Sequence, residues 1–500
     1  MKVALVNPNS DFYLSTNLGL TYVISAIEDK HRIKLLDAGF HVKNFTQYVL
    51  DNIESYRPDV VGFSVTSFSV RNALKIAKLI KLKYPQILLV FGGVHPTLLP
   101  QETIVDQSVD AICIGEGEDA FAEYLDYLSA GRQPLGVAGI WFKDSTGKII
   151  RNPLRQFRQD LDGLRFPNWD YWDIEKRLNI NESSFIGGLR FITSRGCPYT
   201  CTFCSNPALG NAVPGKFYRL RSPENIVSEI KHNVDKYYDR GFRHVVWGDE
   251  SFGIDIIYLR KLFELYNGQG FNKALTWSCQ PRADFVTDEW AQLAKESGCN
   301  FVCMGVESAD ENIRFKTYDK NISNQDVREA VKILVRHRIE YAINMIVGCP
   351  EDSFRTICGN IKLLKELRPA RTMFLLYQPL PKTELGQMVM ADKTFKINYD
   401  RMFERGPRHR IELPVVNTRY LSITALTFFI FWLDLRHVME FIITGLRLKG
   451  MRFIADIYRQ FRFLILNNRP ILHAYSFAEI EVHTTLKYLR EKNKTRILRS

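Results

Sequence analysis

The chain has 500 residues, of which 46% are hydrophobic and 24% are charged, which excludes a disordered or low-complexity protein and suggests about three domains. The net charge of +12 is concentrated near the C-terminus, because residues 401–500 hold 18 Lys or Arg against 8 Asp or Glu. The rest of the chain is almost neutral. Such a basic region predicts an anionic partner: lipid headgroups, nucleic acid or an acidic substrate.

The N-terminal sequence has neither the long apolar core nor the cleavage site of a signal peptide. The longest apolar run, residues 420–433, is shorter than the roughly 20 residues needed to cross a bilayer. Nine cysteines in such a chain favour reduced or metal-binding thiols over disulfides. We therefore expect a cytoplasmic protein, with or without peripheral contact at the inner face of the membrane.

The first third of the chain alternates apolar, β-branched runs with helical patterns, which predicts a Rossmann-like, doubly wound parallel sheet. We predict strands at 3–7, 33–37, 60–65, 87–91 and 111–114, with helices at 18–30, 45–56 and 70–84. Small and polar residues follow the strands, at the edge where open α/β sheets bind ligands. These residues are Ser64, Thr66, Gly92, Gly93, Gly115, Glu116 and Gly117.

Two motifs at this edge, Gly92-Gly93-Val-His95-Pro-Thr and Asp110-x4-Gly115-Glu116-Gly117-Glu, resemble the cobalamin-binding domain fused to many radical S-adenosylmethionine (SAM) enzymes. Taken alone, the paired glycines fit tight strand–helix turns equally well. The resemblance covers about residues 1–125 and implies that the residues at the strand ends, together with His95 of the first motif, form the cobalamin site. The wider family's Asp-x-His-x-x-Gly motif is absent, so we expect no lower His ligand to cobalt. His95 is expected to shape its turn rather than to bind cobalt.

Three cysteines at C-x3-C-x2-C spacing, Cys197, Cys201 and Cys204, predict a metal centre on one loop. Structural zinc sites usually pair two C-x2-C units, and no second unit lies nearby. A [4Fe–4S] cluster takes one thiolate per iron, so three cysteines leave one iron open to a chelating ligand. Structural zinc or unrelated buried thiols are the alternative interpretation.

This spacing is the radical SAM signature. The resemblance implies that the open iron chelates the amino and carboxylate groups of SAM, and that one electron from the cluster releases a 5′-deoxyadenosyl radical. Phe203 matches the family's aromatic residue that packs near the adenine.

Six further strand patterns alternate with helices and predict a partial (β/α)6 barrel of the TIM type, with its chemistry at the carboxyl ends of the strands. We predict strands at 189–195, 244–249, 275–280, 301–306, 341–347 and 372–378. The predicted helices lie at 223–239, 256–267, 287–297, 324–338 and 354–367.

The residues at these strand ends are candidates for binding SAM. By resemblance, an acid after the second strand contacts the amino group, and we favour Glu250 over its neighbour Asp249. Arg282 resembles an arginine near the carboxylate, Glu307 a ribose contact, and Gly348 belongs to a Gly-x-Pro turn. For each charged residue, an exposed salt bridge is the alternative. Cys349 is a weak further candidate, and Cys299 and Cys303 are expected to pack in the barrel wall.

We divide the chain into a cobalamin-binding domain (1–140), a linker (141–185), a radical SAM domain (186–387) and a helical, basic C-terminal region (388–500). Helical patterns at 421–433, 438–447, 451–466 and 474–492 fit two arrangements equally. They form an amphipathic surface at a membrane interface, or a cap packed on the barrel. Nucleic acid fits less well, because no binding motif is present and the apolar content favours lipid.

The sequence thus predicts an enzyme that uses a [4Fe–4S] cluster, SAM and cobalamin. The expected reaction is hydrogen abstraction from an unactivated carbon of a lipid-like or secondary-metabolite substrate, followed by methyl transfer. Oxidative cyclisation or rearrangement, as in tetrapyrrole cyclases, is the alternative, and a non-catalytic cobalamin or redox sensor is a weaker one. A methylthiotransferase is disfavoured because the N-terminal third holds only Cys113. Flavodoxin or ferredoxin is the expected electron donor, and no nucleic-acid partner is expected.

Overall fold

The N-terminal part of the chain forms a seven-stranded sheet in the order β2-β1-β3-β4-β5-β6-β7. A computed structural model describes residues 1–8, 16–39, 44–178, 188–403 and 413–428. Strands β1 to β5 pair in parallel, whereas β5, β6 and β7 pair antiparallel. The strands are β1 (Lys2–Asn7), β2 (Arg32–Asp37), β3 (Val60–Ser64), β4 (Leu88–Gly92), β5 (Ala111–Cys113), β6 (Ile140–Lys143) and β7 (Ile149–Arg151).

Helices cover both faces of this sheet, because its central strands are apolar on both sides and are almost fully buried. This confirms the predicted doubly wound α/β domain. The helices are α1 (Leu18–Ile27), α2 (Phe45–Tyr56), α3 (Val70–Lys83), α4 (Val94–Leu98), α5 (Pro100–Ile104) and α6 (Gly117–Ser129).

The hairpin β6–β7 was not predicted from the sequence. Its strands are only four and three residues long, which is too short to show the alternation of a strand. The hairpin extends the sheet beyond residue 140, into residues that we had assigned to the linker.

The segment that follows fastens the two sheets together. Trp172 lies between a 3₁₀ turn (Trp169–Tyr171) and helix α7 (Ile174–Leu178) and packs in the core of the second sheet. Trp172 and Arg177 of α7 also contact the N-terminal domain. The indole of Trp172 donates a hydrogen bond to Thr21, at 3.0 Å, and Arg177 forms an ion pair with Asp37.

The second sheet has six parallel strands in the order β15-β14-β13-β12-β11-β8, which confirms the predicted partial barrel. A large apolar core lies between these strands and the surrounding helices. Its six strands are β8 (Leu189–Phe191), β11 (His244–Trp247), β12 (Thr276–Cys279), β13 (Cys299–Glu307), β14 (Glu340–Val347) and β15 (Arg371–Leu376). A separate two-stranded ribbon consists of β9 (Ser194–Arg195) and β10 (Arg219–Leu220).

The prediction of one strand over 189–195 was wrong, because the chain leaves the sheet between β8 and β9. The backbone N–H of Thr193 donates to the carboxylate of Asp249, at 3.0 Å, instead of continuing the ladder. The barrel helices are α8 (Ser205–Ala212), α9 (Pro223–Tyr237), α10 (Ile256–Gly268), α11 (Phe271–Ala274), α12 (Asp288–Glu296), α13 (Asn324–Arg336), α14 (Phe354–Leu367), α15 (Glu384–Ala391) and α16 (Tyr399–Phe403).

The C-terminal region is described only as far as residue 428. Residues 413–428 pack on the barrel, where the backbone N–H of Arg419 donates to Pro350 O at 2.9 Å. A helix occupies 423–428, within the predicted 421–433, whereas the predicted helices at 438–447, 451–466 and 474–492 lie outside the described residues. Within the described ranges, no helix is long and apolar enough to cross a membrane.

Candidate active site

A cavity of about 420 Å³ lies over the carboxyl edge of the N-terminal sheet. This volume is in the usual range for organic ligands. Seven of the eight N-terminal residues predicted to bind a cofactor line it, and these are Ser64, Thr66, Gly92, Gly93, Gly115, Glu116 and Gly117.

Glycine backbone forms a large part of the cavity wall. A Cβ on Gly93 would lie 2.9 Å from Val65 O, and its φ of +99° is one that other residues rarely adopt. In the floor, a Cβ on Gly62 would lie 2.8 Å from Leu5 Cδ2. Neither position leaves room for a side chain, so the shape of the wall depends on glycine at both positions.

His95, the eighth predicted residue, is not among the residues that line the cavity. It is buried, and its Nδ1 lies 3.1 Å from the hydroxyl of Ser67. Burial lowers the pKa of His95 to about 4, so the ring is neutral near pH 7. The structure thus places His95 inside the turn of its motif rather than on the ligand side.

Charged side chains close the cavity on the side that faces the barrel. Glu116 accepts hydrogen bonds from Arg195 at 3.0 Å and from Arg219 at 2.9 Å, and Arg195 also forms an ion pair with Glu118 at 2.6 Å. Burial alone would raise the pKa of Glu116, but the hydrogen bond from Arg219 and the two positive charges lower it. The guanidinium of Arg195 also lies 4.7 Å from the ring centre of Tyr22, another cavity residue.

Two barrel residues, Ile192 and Arg195, line the same cavity. Both lie in the segment that leads from β8 into the three-cysteine loop, and Arg195 is separated from Cys197 only by Gly196. A ligand over the N-terminal sheet would therefore lie against the chain segment that carries the cysteines.

The cysteine loop is held by backbone contacts with distant segments. The N–H of Thr202 donates to Tyr318 O at 3.1 Å, and the N–H of Leu385 donates to Thr202 O at 3.0 Å. Gly196 starts the loop with a φ of +81°, and a Cβ there would lie 2.3 Å from Phe217 O. The loop is therefore fixed at both its start and its middle.

The three thiols are close enough to influence one another. Burial raises the pKa of Cys197 and of Cys201, and raises that of Cys204 to about 12. Negative charge on neighbouring cysteines adds to the shifts of Cys197 and Cys204. The Cys204 Sγ caps α8 and accepts a hydrogen bond from the N–H of Asn206, at 3.5 Å.

This donor set fits the predicted cluster. Three thiols on one anchored loop, with a backbone N–H directed at one sulfur, can ligate three of the four irons of a [4Fe–4S] cluster and leave the fourth open. Bound iron deprotonates its thiol ligands, which removes the cost of ionising buried thiols. In the part of the chain that the structure describes, no three His, Cys, Asp or Glu side chains are arranged to hold a single metal ion.

The two acids after β11 have different surroundings. Asp249 is buried and accepts hydrogen bonds from Thr193 and Ser194, so it organises the chain behind the cysteine loop. Glu250 is exposed and accepts a hydrogen bond from the side chain of Asn206 at 3.1 Å. Its charge acts on Cys197 and Cys204, which places Glu250 on the side of the cysteines.

Arg282 lies beside the cysteine loop. Its Nε and Nη2 each donate to Asp284 at 3.1 Å, and the guanidinium lies 3.9 Å from the ring centre of Tyr199. Its positive charge lowers the pKa of Cys197 and of Cys201, against the rise that burial causes. Arg282 is thus near the predicted cluster and is already paired with an acid.

Glu307, at the end of β13, has a φ of +67°, which is strained for a residue other than glycine. Lys320 secures it by donating to Glu307 Oε1 at 2.8 Å and to Gly305 O at 2.7 Å. A Cβ on Gly305 would lie 2.2 Å from the same carboxylate oxygen. Gly305, Glu307 and Lys320 form a tightly packed cluster, the Glu307 cluster, near Cys201. The charge of Lys320 lowers the pKa of Cys201 and that of Glu307 raises it.

The remaining candidates are Phe203, within the loop, and Gly348 and Cys349, which directly follow β14. Phe203 packs edge-to-face on Tyr318, with ring centres 4.9 Å apart. Gly348 donates its N–H to Asp352 at 2.8 Å, and Leu426 of the C-terminal segment covers it. Cys349 is fully buried in the apolar cluster beneath Phe203. The structure thus groups Phe203 with the loop and places Gly348 under the C-terminal segment.

Sequence reasoning missed three residues of these sites: Tyr22, Arg195 and Lys320. Arg195 had an available signal, because it stands directly before the glycine of the cysteine loop. Tyr22 lies inside an ordinary amphipathic helix, and Lys320 follows an irregular turn, so neither carried a sequence signal.

Comparison with known families agrees with the two halves of the site. Residues 9–125 match the model of the B12 binding domain, and residues 191–364 match that of the radical SAM superfamily.

Characterised and uncharacterised relatives share most of the chain. An uncharacterised methyltransferase of Pyrococcus horikoshii is 28% identical over 78% of this chain and 84% of its own length. The anaerobic magnesium-protoporphyrin IX monomethyl ester cyclase of Rubrivivax gelatinosus is 27% identical, over 71% and 62%. A cytidylyl-2-hydroxyethylphosphonate methyltransferase of Streptomyces wedmorensis is 25% identical, over 72% and 74%.

Solved structures have the same architecture. The radical SAM methyltransferase TsrM of Kitasatospora setae superposes with a TM-score of 0.64 at 18% identity, covering 79% of this chain and 78% of TsrM. The cobalamin-dependent radical SAM enzyme OxsB gives a TM-score of 0.63 at 18% identity, covering 100% of this chain and 75% of OxsB. With its cavity, cysteine loop and two matched domains, the chain is a cobalamin-dependent radical SAM enzyme that uses a [4Fe–4S] cluster, SAM and cobalamin.

Proposed function

We propose that this enzyme methylates an unactivated carbon of a small molecule. The observation that supports this most is that Ile192 and Arg195 of the barrel line the cavity over the N-terminal sheet. A methyl donor in that cavity would lie beside the loop that holds the radical-generating centre. Methyl transfer needs this proximity, because donor and acceptor carbon must meet before the radical is quenched.

Each part of the chain then has a defined task. Cys197, Cys201 and Cys204 would hold the cluster, and Glu250, Arg282 and Glu307 surround the place where SAM would bind. When bound, the cluster with SAM supplies a 5′-deoxyadenosyl radical and cobalamin supplies the methyl group. The ion pairs of Glu116 with Arg195 and Arg219 connect the edge of the cavity to the segment that leads into the cysteine loop.

The test is anaerobic reconstitution of the full chain with iron, sulfide and cobalamin, followed by incubation with SAM, a reductant and candidate substrates. Methyl transfer consumes two SAM molecules, one to form the radical and one to remethylate cobalamin. We expect 5′-deoxyadenosine and S-adenosylhomocysteine to accumulate together. Formation of 5′-deoxyadenosine alone would refute methylation.

That second outcome would instead support radical cyclisation or rearrangement. Cyclases among the relatives support this alternative, at 27% identity for the Rubrivivax gelatinosus protein. If neither product forms with any candidate substrate, the result would favour a cobalamin or redox sensor.

We further propose that flavodoxin or ferredoxin supplies the electron, and that the basic region 388–500 contacts anionic lipid and helps to admit a lipid-like substrate. The support is the charge of residues 401–500, with 18 basic and 8 acidic side chains. Deletion of residues 411–500 should reduce partitioning onto anionic liposomes and leave partitioning onto neutral liposomes unchanged. Equal partitioning of both proteins onto anionic liposomes would refute the membrane proposal.

A further inference from the structure

Arg190 lies on β8, between two residues of the main apolar core. Leu189 and Phe191 both pack in the core between the barrel strands and the helices. Side chains alternate along a strand, so Arg190 extends to the opposite face, which is the interior of the barrel. Its register neighbour on that face is Val246 of β11, which in turn pairs with Ser278 of β12.

The path of the Arg190 side chain is set by a glycine on the next strand. A Cβ on Gly248 would lie 2.8 Å from Arg190 Cγ and 2.9 Å from its Cδ. The side chain therefore crosses the position where Gly248 has no side chain of its own. Gly248 directly follows β11, so the guanidinium lies toward the mouth of the barrel, where the cysteine loop begins.

Arg190 differs from five other cations around the two sites. Each of those forms an ion pair with an acid, at distances from 2.5 to 3.1 Å. The pairs are Arg195–Glu118, Arg219–Glu116, Arg221–Glu229, Arg282–Asp284 and Lys320–Glu307.

Among the described residues, no side chain or backbone group forms a hydrogen bond or an ion pair with the Arg190 guanidinium. The acid whose charge acts on it is Glu250, which hydrogen-bonds Asn206 instead. Burial lowers the pKa of Arg190, but a guanidinium stays charged in proteins. A charged group with five N–H donors in a desolvated place needs an acceptor, and this one keeps partial access to solvent.

We propose that Arg190 binds an anionic group of the substrate, a carboxylate or a phosphoryl group, inside the barrel. The planar guanidinium donates two parallel hydrogen bonds to such an oxyanion. The inference rests on the proposed function, because it requires a small molecule in the barrel interior. It narrows the substrate to one that carries an acidic group near the carbon to be modified.

The carboxylate of SAM has the same chemistry, so the experiment separates the two sources. The full-length, reconstituted holoenzyme is saturated with SAM and titrated anaerobically with acetate and with methylphosphonate, and acetamide serves as the neutral probe. The same titrations are made on Arg190→Gln and on Arg355→Gln, which removes an exposed arginine of α14. SAM affinity is measured separately for each protein.

We expect the wild type and Arg355→Gln to bind at least one anion but not acetamide, and Arg190→Gln to bind that anion about tenfold more weakly or worse. Arg190→Lys keeps the positive charge but loses the paired N–H donors of the guanidinium, so its anion affinity should lie between those of the wild type and Arg190→Gln. If Arg190→Gln does not fold, Arg190→Lys replaces it in the test. Equal anion binding by wild type and Arg190→Gln, or no anion binding at all, would overturn the inference. A loss of SAM affinity in Arg190→Gln as large as its loss of anion affinity would also overturn the inference, because Arg190 would then bind SAM.

These outcomes are independent of the proposed function. That function fails if the wild-type holoenzyme makes no S-adenosylhomocysteine alongside 5′-deoxyadenosine, whatever the anion titrations give. The assignment of Arg190 fails on the titrations alone.

Discussion

The cavity over the N-terminal sheet is formed mainly by backbone and apolar side chains, whereas the mouth of the barrel presents thiols and charged side chains. Both lie at the carboxyl ends of parallel strands, where α/β folds commonly bind ligands. In the first region, glycines create the shape and few side chains can bond a ligand. In the second, the binding groups are side chains whose charges act on one another.

This difference indicates how each region will respond to mutation. The cavity should be sensitive to added volume and tolerant of lost charge. The barrel mouth should be sensitive to the loss of single ligands. Glu116 forms ion pairs that join the two regions. Their loss should lower the stability of the fold more than it changes ligand binding.

The largest effect is expected at the cysteine loop. Cys201→Ala removes one of three thiolates, and two thiolates cannot hold a [4Fe–4S] cluster at an anchored loop. We expect near-complete loss of bound iron and sulfide after reconstitution, together with loss of the cluster's visible absorbance. Cys358→Ala, on α14, is the matched control and should retain both. A cluster of normal intensity in Cys201→Ala would show that the loop is not the binding site.

The next effect concerns the shape of the cavity. Gly93→Ala places a Cβ 2.9 Å from Val65 O, so the turn must move and cobalamin should be lost on gel filtration. Gly131→Ala is a matched control, since Gly131 also has a positive φ, of +66°, but no atom lies within 4 Å of the added Cβ. Both variants carry the backbone strain, but only Gly93→Ala crowds the wall. Equal cobalamin retention by the two variants would contradict a wall shaped by glycine.

A smaller effect is expected at the junction. Glu116→Gln removes the acid that pairs with Arg219 and one of the two acids that pair with Arg195, and we expect the free energy of unfolding in urea to fall by about 3 kcal/mol. The folded-state pKa of Glu116 lies below its ordinary value of 4.5. Its contribution is therefore complete above pH 4.5 and is lost as the pH falls through the lowered pKa. Glu116→Gln should lose less stability than the wild type between pH 5 and pH 3; parallel losses would count against the ion pairs.

The sequence predicted the cavity better than the junction. Strand ends such as Ser64 and paired glycines such as Gly93 follow from periodicity and motif, because the carboxyl edge of a parallel sheet is defined by local sequence. The position of Arg195 directly before Gly196 was a signal, but its pairing with Glu116 could not be assigned in this way. Its role depends on the docking of two sheets, which brings Glu116 next to a residue far along the chain. Pairings of this kind leave no periodic signal.

Local geometry was equally hidden at the barrel mouth. Glu307 was predicted as a contact, but its positive φ and its pairing with Lys320 were not. The sequence favoured Glu250 over Asp249 without showing what Asp249 does, whereas the structure has Asp249 accept a hydrogen bond from Thr193. The sequence near Arg190 did not indicate a binding role. That role is inferred from the lack of an ion-pair partner among the described residues, which lie far apart in the sequence.

The smallest effect is expected at the Glu307 cluster. It tests whether SAM binding at the barrel mouth depends on single charged contacts. Lys320→Met keeps the length of the side chain but removes both hydrogen bonds, so Glu307 is left buried, strained and without its cation. We expect SAM affinity of the cluster-loaded enzyme to fall about tenfold. Lys332→Met, which breaks an exposed pair with Glu329, should have no effect.

The result can separate positioning from folding. If Lys320 only stabilises the barrel, Lys320→Met will lower the midpoint of thermal unfolding and leave the SAM dissociation constant unchanged. If it positions Glu307 for SAM, the dissociation constant will rise, and Glu307→Gln will raise it to a similar extent. The double variant should then bind SAM no more weakly than Glu307→Gln alone, because both changes act through one contact. Additive losses of SAM affinity would mean that Lys320 and Glu307 contact SAM independently, so Lys320 would not act through Glu307.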